Sequence, residues 1–273
     1  VISMQNDSIF LSEVKDFFHE IHPTLSAKVM EIYNSKDFFV DEKKDGSPVT
    51  QADLVVNDML REKLTNKFPD IPILSEENTY PKEIPSLFWL IDPLDGTKEF
   101  INRSGEFTIN VALVKNMQSI FGYVAAPAID EIWLSEGQIF KESQKKSIYS
   151  DSIVIVKSRS HSSKKDDQFE QFLENKRIDY SFLSVGSSLK ICMLATNNAD
   201  LYIRFGPTSE WDIAAANAVL EAYNGGIYDL HTKKKIIYGK ADSVLNPSFF
   251  AISNKLRYNE IVKLVDEFSE NLL

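Results

Sequence analysis

The 273-residue chain is 43% hydrophobic, with ten glycines, ten prolines and a formal net charge of −10. That length suits one large or two medium compact domains, and the composition is ordinary for a soluble globular protein. The acidic balance argues against a nucleic-acid partner held by a basic surface, and the single cysteine, Cys192, excludes an intrachain disulfide or a cysteine-based zinc site.

Residues 1–10 show no basic segment followed by an apolar stretch, and no apolar run approaches the ~18 residues that span a bilayer. No secretion signal is therefore expected, and the expected location is cytoplasmic. Residues 9–32 place Phe10, Val14, Phe17, Phe18 and Ile21 at helical spacing, with His22-Pro23 as a kink or break. A charged, glycine-containing loop is expected over 41–48. Thr50-Gln51-Ala52-Asp53 then has the form of a capping box, and Val55, Val56, Met59, Leu60 and Leu64 continue one helix face.

Residues 71–74 read as a short strand ending at Ser75-Glu76-Glu77. Residues 87–91 read as a buried strand that empties into Asp92-Pro93-Leu94-Asp95-Gly96-Thr97. Strands over 107–114 and 119–126 follow, with Lys115-Asn116 in the turn, then a hairpin of 132–134 and 138–141 around Gly137. The Lys-, Ser- and Gln-rich stretch 141–152 is the boundary candidate, dividing an α+β half (1–147) from an α/β half (148–273); the same composition suits a long surface loop. Beyond it strands over 153–156, 180–183 and 200–203 alternate with helices over 166–173, 187–195 and 213–222, with Gly225-Gly226 as the last C-cap. Cys192 reads as a core thiol on the second helix of this series. The alternation argues for an α/β fold with mixed sheet.

The chemistry concentrates at Asp92 and Asp95. Carboxylates at a strand's end, beside the backbone N–H groups of Gly96-Thr97, suit hard cations and phosphate together. Pro93 fixes φ for a sharp turn in which the Leu94 carbonyl faces the same way as both carboxylates, an oxygen-only set suited to Mg²⁺ or Mn²⁺. The competing role for Asp95 is that of a helix N-cap. Glu76-Glu77 also follows a strand and reads either as part of the same sheet edge or as a solvated loop. Asp212, ahead of the apolar helix 213–222, and Asp53, in the capping box with Thr50, have helix capping as their alternative role. Two residues separate Asp92 from Asp95, whereas phosphatases that use an aspartate nucleophile have a D-x-D spacing. That difference favours metal-activated water over an aspartyl-phosphate.

Three blocks, Leu74-Ser75-Glu76-Glu77, Asp92-Pro93-Leu94-Asp95-Gly96-Thr97 and Glu210-Trp211-Asp212-Ile213-Ala214-Ala215, resemble those of the inositol monophosphatase-like, lithium-sensitive phosphatase superfamily. Further strings, among them Ser47-Pro48-Val49-Thr50, Lys98-Glu99-Phe100, Ser158-Arg159-Ser160-His161 and Val185-Gly186-Ser187-Ser188-Leu189-Lys190, resemble its CysQ-type 3′(2′),5′-bisphosphate nucleotidase branch. The resemblance implies a layered α/β/α/β/α sugar-phosphatase fold of the α/β class. It also implies hydrolysis of the 3′-phosphate of 3′-phosphoadenosine 5′-phosphate to AMP, dependent on two or three Mg²⁺ ions, with Mn²⁺ as the alternative and Li⁺ as an inhibitor.

By resemblance, Glu76, Asp92 and the Leu94 carbonyl hold one ion, and Asp92, Asp95 and Asp212 a second. Asp53 and Thr97 position and deprotonate the attacking water, and the Gly96 and Thr97 amides receive the phosphate. His161, Gly186, Lys190 and Arg204 approach the nucleotide. On the residues alone, His161 also reads as an exposed histidine, and Lys190 and Arg204 as surface cations. An inositol or sugar monophosphatase on the same metal site is the alternative activity, and a non-catalytic metal- or nucleotide-binding protein is a further one.

Overall fold

The computed structural model describes residues 4–35, 37–43, 46–78, 81, 83–135, 152–159 and 163–270. The chain opens with helix α1 (Met4–Asn34), a hairpin of β1 (Val40–Glu42) and β2 (Pro48–Thr50), and α2 (Gln51–Lys67). A first sheet follows, ordered β3 (Ile73–Ser75), β4 (Leu87–Asp95), β5 (Thr108–Lys115), β6 (Gln118–Ala126) and β7 (Glu131–Leu134), with the short α3 (Thr97–Ile101) after β4. In it β3 runs parallel to β4 and the other pairs are antiparallel.

The remainder supplies β8 (Ile153–Ser158), α4 (Lys164–Asn175), β9 (Tyr180–Val185), α5 (Leu189–Ala195), β10 (Leu201–Arg204), α6 (Glu210–Ala222), β11 (Gly226–Asp229), β12 (Phe249–Ile252) and α7 (Tyr258–Glu270). The second sheet has the order β11-β12-β10-β8-β9, with β8 parallel to both neighbours and the other pairs antiparallel.

Period-2 alternation along the strands builds the layers. Trp89 and Ile91 of β4 face α1 and α2 and pack with Phe18, Leu25, Val56 and Leu60. Phe88 and Leu90, one residue out of phase, face the opposite way onto Ile191 and Leu194 of α5 and Ala215 and Val219 of α6. The same cluster takes in Val154, Val156 and Phe249 of the second sheet, so both sheets share the central helical layer. Ile153, Ile155, Leu201 and Phe250 turn outward to Phe169 and Leu173 of α4 and Ile261 and Val265 of α7. The order is therefore helix, sheet, helix, sheet, helix, as the resemblance implied. Among the described residues no helix is long and apolar enough to cross a membrane.

Several local expectations are revised. Helix α1 continues through Pro23, because Phe18, Ile21 and Leu25 on either side are buried in one face and outweigh the backbone hydrogen bond that proline cannot donate. The stretch 41–48 contributes ends of a two-stranded hairpin. Strand β4 runs on through Asp92 to Asp95 instead of turning sharply. The register slips between Asp92↔Asn110 and Asp95↔Thr108, so Pro93 and Leu94 oppose Ile109 alone in a bulge, where a missing N–H is tolerated.

The β5–β6 turn is Asn116-Met117, both left-handed at φ 50° and 65°, one residue later than expected. Helix α6 starts at Glu210, three residues early, and its left-handed C-terminal residue is Asn224 rather than a glycine. There the Gly225 N–H reaches back to the Leu220 carbonyl at 2.9 Å. Strand β12 and helix α7 had no sequence signal assigned to them. The expected strand 138–141 and the 147/148 boundary lie outside the described residues.

Helix α6 lies directly on the first sheet. A Cβ on Gly122 of β6 would come within 2.0 Å of the Ala215 carbonyl oxygen, and Ser119 donates to the Ala214 carbonyl at 2.8 Å. Gly122→Ala is expected to destabilise the protein by about 1–3 kcal/mol through overpacking, measured by denaturant unfolding. An unchanged midpoint would show that α6 can move off the sheet freely.

Candidate active site

The β4 bulge places Asp92 at the base of the site, 1% exposed, with its Oδ1 accepting the Leu94 N–H at 3.1 Å. On the neighbouring parallel strand, Ser75 pairs with Ile91, and the Glu76 N–H donates to the Ile91 carbonyl at 3.1 Å. Parallel pairing thus delivers Glu76 to the same sheet edge as Asp92. After the bulge Gly96 takes φ +87°, and a Cβ there would lie 2.9 Å from the Glu106 carbonyl oxygen, so only glycine fits this entry to α3.

Asp53 and Asp212 arrive by a common device. Each is the N3 residue of a capping box, on α2 and α6 respectively. Asp53 Oδ2 accepts from the Thr50 N–H at 2.7 Å and Thr50 Oγ1 at 2.6 Å, while Oδ1 stands 3.3 Å from Thr97 Oγ1. Thr97 Oγ1 is also 3.2 Å from the Leu94 carbonyl. Asp212 Oδ2 accepts the Ser209 N–H at 2.8 Å. Capping and a place in the site are therefore not alternatives; both aspartates have both. Glu210, fully buried at the start of α6, pairs with Lys240 and accepts the Gly239 amide at 2.5 Å, which fixes that helix end.

Asp95 is held by a residue pair on the far side. Its Oδ2 accepts from Ser187 Oγ at 2.7 Å, the Ser188 N–H at 2.7 Å and Ser188 Oγ at 2.8 Å. Lys43 of the first hairpin's loop bridges Glu76 at 2.6 Å and Glu77 at 2.7 Å.

The acids repel one another. Burial pushes the Asp92 carboxyl well above the usual range, and Glu76, Asp95 and Asp212 add to the rise. Burial and then Asp95 raise Asp212, against the Ser209 amide. Burial raises Glu76 despite Lys43. Burial lifts Asp53 to about 6, its Thr50 hydrogen bonds opposing and Glu77 and Glu76 adding repulsion.

Among the described residues, no basic side chain pairs with Asp92, and no three His, Cys, Asp or Glu side chains are gathered closely enough to grip an ion as they stand. Their chemistry fits a hard divalent cation: every donor is an oxygen, and the mutual repulsion is of the kind such an ion neutralises.

A cavity of about 640 Å³ opens above this cluster, within the usual range for small-molecule sites. Glu76, Asp95, Thr97 and Asp212 line it, and so do Lys190 and Arg204. Lys190 is no surface cation. It is 8% exposed, its Nζ donates to the Ser187 carbonyl at 2.6 Å and sits 5.7 Å over the Tyr202 ring, and burial pulls its pKa down to about 8. Arg204 donates to the Pro207 carbonyl at 3.3 Å, and its buried Nε has no hydrogen-bond partner among the described residues.

Gly186 does not reach the cavity wall; its N–H is taken by Glu106 Oε2 at 2.8 Å. His161 lies outside the described residues. Lys43 belongs to no motif, and Glu106, Ser187 and Ser188 stand in branch-like strings that carry no role for them, since their roles depend on pairing between distant segments.

The inositol monophosphatase family model matches residues 11–269. The chain belongs to that family. It is 39% identical over 231 residues to the 3′(2′),5′-bisphosphate nucleotidase CysQ of Salmonella typhimurium, covering 81% of this chain and 92% of the relative. The crystal structure of CysQ from Bacteroides thetaiotaomicron superposes with a TM-score of 0.69 at 32% identity, covering 84% of this chain and 92% of that one. The Thermotoga maritima IMPase shares the fold, with a TM-score of 0.75 at 24% identity over 96% of this chain and 100% of that one. The expected likeness to the CysQ-type branch is borne out, and the chain is a phosphatase.

Asp53→Asn keeps an acceptor for Thr50 but removes a buried charge. An acid raised from 3.8 to about 6 stabilises the fold fully below 3.8, and that contribution is lost as pH rises through about 6. Above that pH the ionised group costs about 3 kcal/mol relative to the unfolded chain. Without added metal, Asp53→Asn is therefore expected to raise Tm at pH 7.5 but hardly at pH 3.5. An equal effect at both pH values would place Asp53 in a solvated setting.

Proposed function

We propose that the chain is a divalent-metal-dependent 3′(2′),5′-bisphosphate nucleotidase, removing the 3′-phosphate of 3′-phosphoadenosine 5′-phosphate. The observation that carries the reading is one cavity lined both by carboxylates, Glu76, Asp95 and Asp212, and by two cations, Lys190 and Arg204. A substrate with two phosphates has work for both. The 39% identity to named bisphosphate nucleotidases supports the same choice.

Glu76, Asp92, Asp95, Asp212 and the Leu94 carbonyl would hold the ions, Mg²⁺ by preference and Mn²⁺ otherwise. Such ions supply Lewis-acid activation of water and neutralise charge on the reacting phosphate and leaving oxygen. Thr97 and Asp53 are the proton path: the Thr97 hydroxyl accepts a proton from the attacking water as it passes its own to Asp53 Oδ1. An acid near 6 is suited to that task at neutral pH. General-base catalysis contributes about 10²–10⁴, far short of the up to ~10²¹ by which phosphate-monoester hydrolysis can be accelerated, so most of the effect must be electrostatic. The amides of Gly96 and Thr97 receive the transferred phosphate. Arg204 and Lys190 bind the other, Arg204 as a planar fork and Lys190 as a point charge.

Metal-dependent phosphate release from 3′-phosphoadenosine 5′-phosphate is expected to exceed that from 3′-AMP and inositol 1-phosphate, and to vanish with chelator. Arg204→Ala is expected to lower kcat/KM for the bisphosphate by about tenfold or more, the worth of one charge-assisted hydrogen bond, while leaving 3′-AMP within about threefold. Equal or better turnover of inositol 1-phosphate would move the chain to the monophosphatase reading.

A further inference from the structure

The connection between α3 and β5 carries Glu106, which is next to the fully buried Phe107 and so rigidly based in the first layer. Its carboxylate crosses to the second half of the chain. Oε2 accepts the Gly186 N–H at 2.8 Å and Arg159 Nε at 2.7 Å, and Oε1 accepts Arg159 Nη2 at 2.6 Å. Arg159 Nη2 also donates to the Ser184 carbonyl at 2.7 Å, so the guanidinium ties the ends of β8 and β9 to the same carboxylate.

Gly186 leads directly into Ser187 and Ser188; Ser187 Oγ and the Ser188 N–H donate to Asp95 Oδ2, and Ser188 Oγ shares its one proton between that oxygen and the Asp212 carbonyl. Ser187 is left-handed, φ 52°, a conformation that a residue with a Cβ rarely adopts without restraint from its surroundings. Ser188 Oγ lies 2.6 Å from the Asp212 carbonyl, so the loop touches two of the four acids. The serines engage Oδ2, and Asp95 lines the cavity.

We propose that Glu106 is a positioning residue for the metal site: by holding the Gly186 amide it fixes the 186–188 loop, and through the loop the orientation of the Asp95 carboxylate. This rests on the reading of Asp95 as a metal ligand. Arg159 orients Glu106 and does not itself touch the loop's donors. Burial would raise the Glu106 carboxyl, but Arg159 and the Gly186 amide hold it below its ordinary range, so it is ionised and a strong acceptor at neutral pH.

The test is Mn²⁺ binding to the full chain without substrate, by calorimetry, together with steady-state kinetics on the best phosphomonoester found for the wild type. Glu106→Ala is expected to weaken Mn²⁺ binding about 10- to 100-fold, as removal of a group that orients a ligand does, and to raise the Mn²⁺ needed for half-maximal kcat by a similar factor. Substrate KM at saturating Mn²⁺ is expected to stay within about threefold.

Glu106→Gln keeps an oxygen for the Gly186 amide and is expected to recover binding to within about threefold of the wild type; Arg159→Ala should do the same. Glu106→Asp keeps the charge but falls a methylene short of the amide, so it should resemble Glu106→Ala and serves in its place if that variant does not fold. Wild-type Mn²⁺ affinity in folded Glu106→Ala or Glu106→Asp overturns the proposal, as does a Glu106→Gln variant as impaired as Glu106→Ala. No Mn²⁺ binding by the wild type itself overturns the metal-site reading and this inference with it.

Discussion

Like charges crowded into a dry place govern this molecule. Asp92 is buried at a strand bulge with Glu76, Asp95 and Asp212 around it, and all three raise the cost of ionising it. A fold does not keep such a cluster for stability, since buried carboxylates without partners are among the costliest groups to desolvate. The surrounding structure limits the cost without removing it. Two helix N-termini take one oxygen from Asp53 and Asp212, a serine pair takes one from Asp95, and Lys43 takes one from Glu76. Asp53 turns its other oxygen to Thr97, and on the proposed reading the remaining acids offer theirs to a hard cation, which would make the cluster a site rather than a defect.

The five layers exist to bring those acids to one place. Parallel pairing of β3 with β4 sets Glu76 beside Asp92, and the bulge after Asp92 returns Asp95 to the same edge. Helix α6 belongs to the second half of the chain but lies against the first sheet at Gly122, and its first turn carries Asp212 across. The same central layer brings α5 and its buried Lys190 to the lining of the same cavity. Asp53, Glu76, Asp92 and Asp95 thus come from the first half of the sequence, and Asp212, Lys190 and Arg204 from the second.

Much of this was legible in the chain, for stated reasons. Continuous apolar runs mark most of the strands, because strands such as β4 and β5 bury both faces between helical layers, and the carboxylate motifs stand at their ends. Capping boxes were legible as caps, but a sequence cannot show that the second oxygen of Asp53 meets Thr97. The bulge was read as a sharp turn because Pro93 suggests one, whereas pairing with β5 keeps the strand going. Gly225-Gly226 looked like a C-cap, yet Asn224 took the left-handed position, and a Cβ at Gly225 would come 2.4 Å from Leu220 Cδ1. Lys43, Glu106 and the serine pair were illegible because each acts across a distance in sequence that only the assembled layers close.

The central claim is that the acid cluster is completed by divalent ions, and thermal unfolding of the full chain in Mg²⁺ titrations tests it most directly. Ion binding to the folded state alone should raise stability by about 2.7 kcal/mol at 100 times the dissociation constant, a Tm rise of roughly 5–10 °C for a chain of this size. The rise should be larger at pH 7.5 than at pH 5, where protons already relieve the repulsion. A Tm indifferent to Mg²⁺ and Mn²⁺ at both pH values would contradict the account.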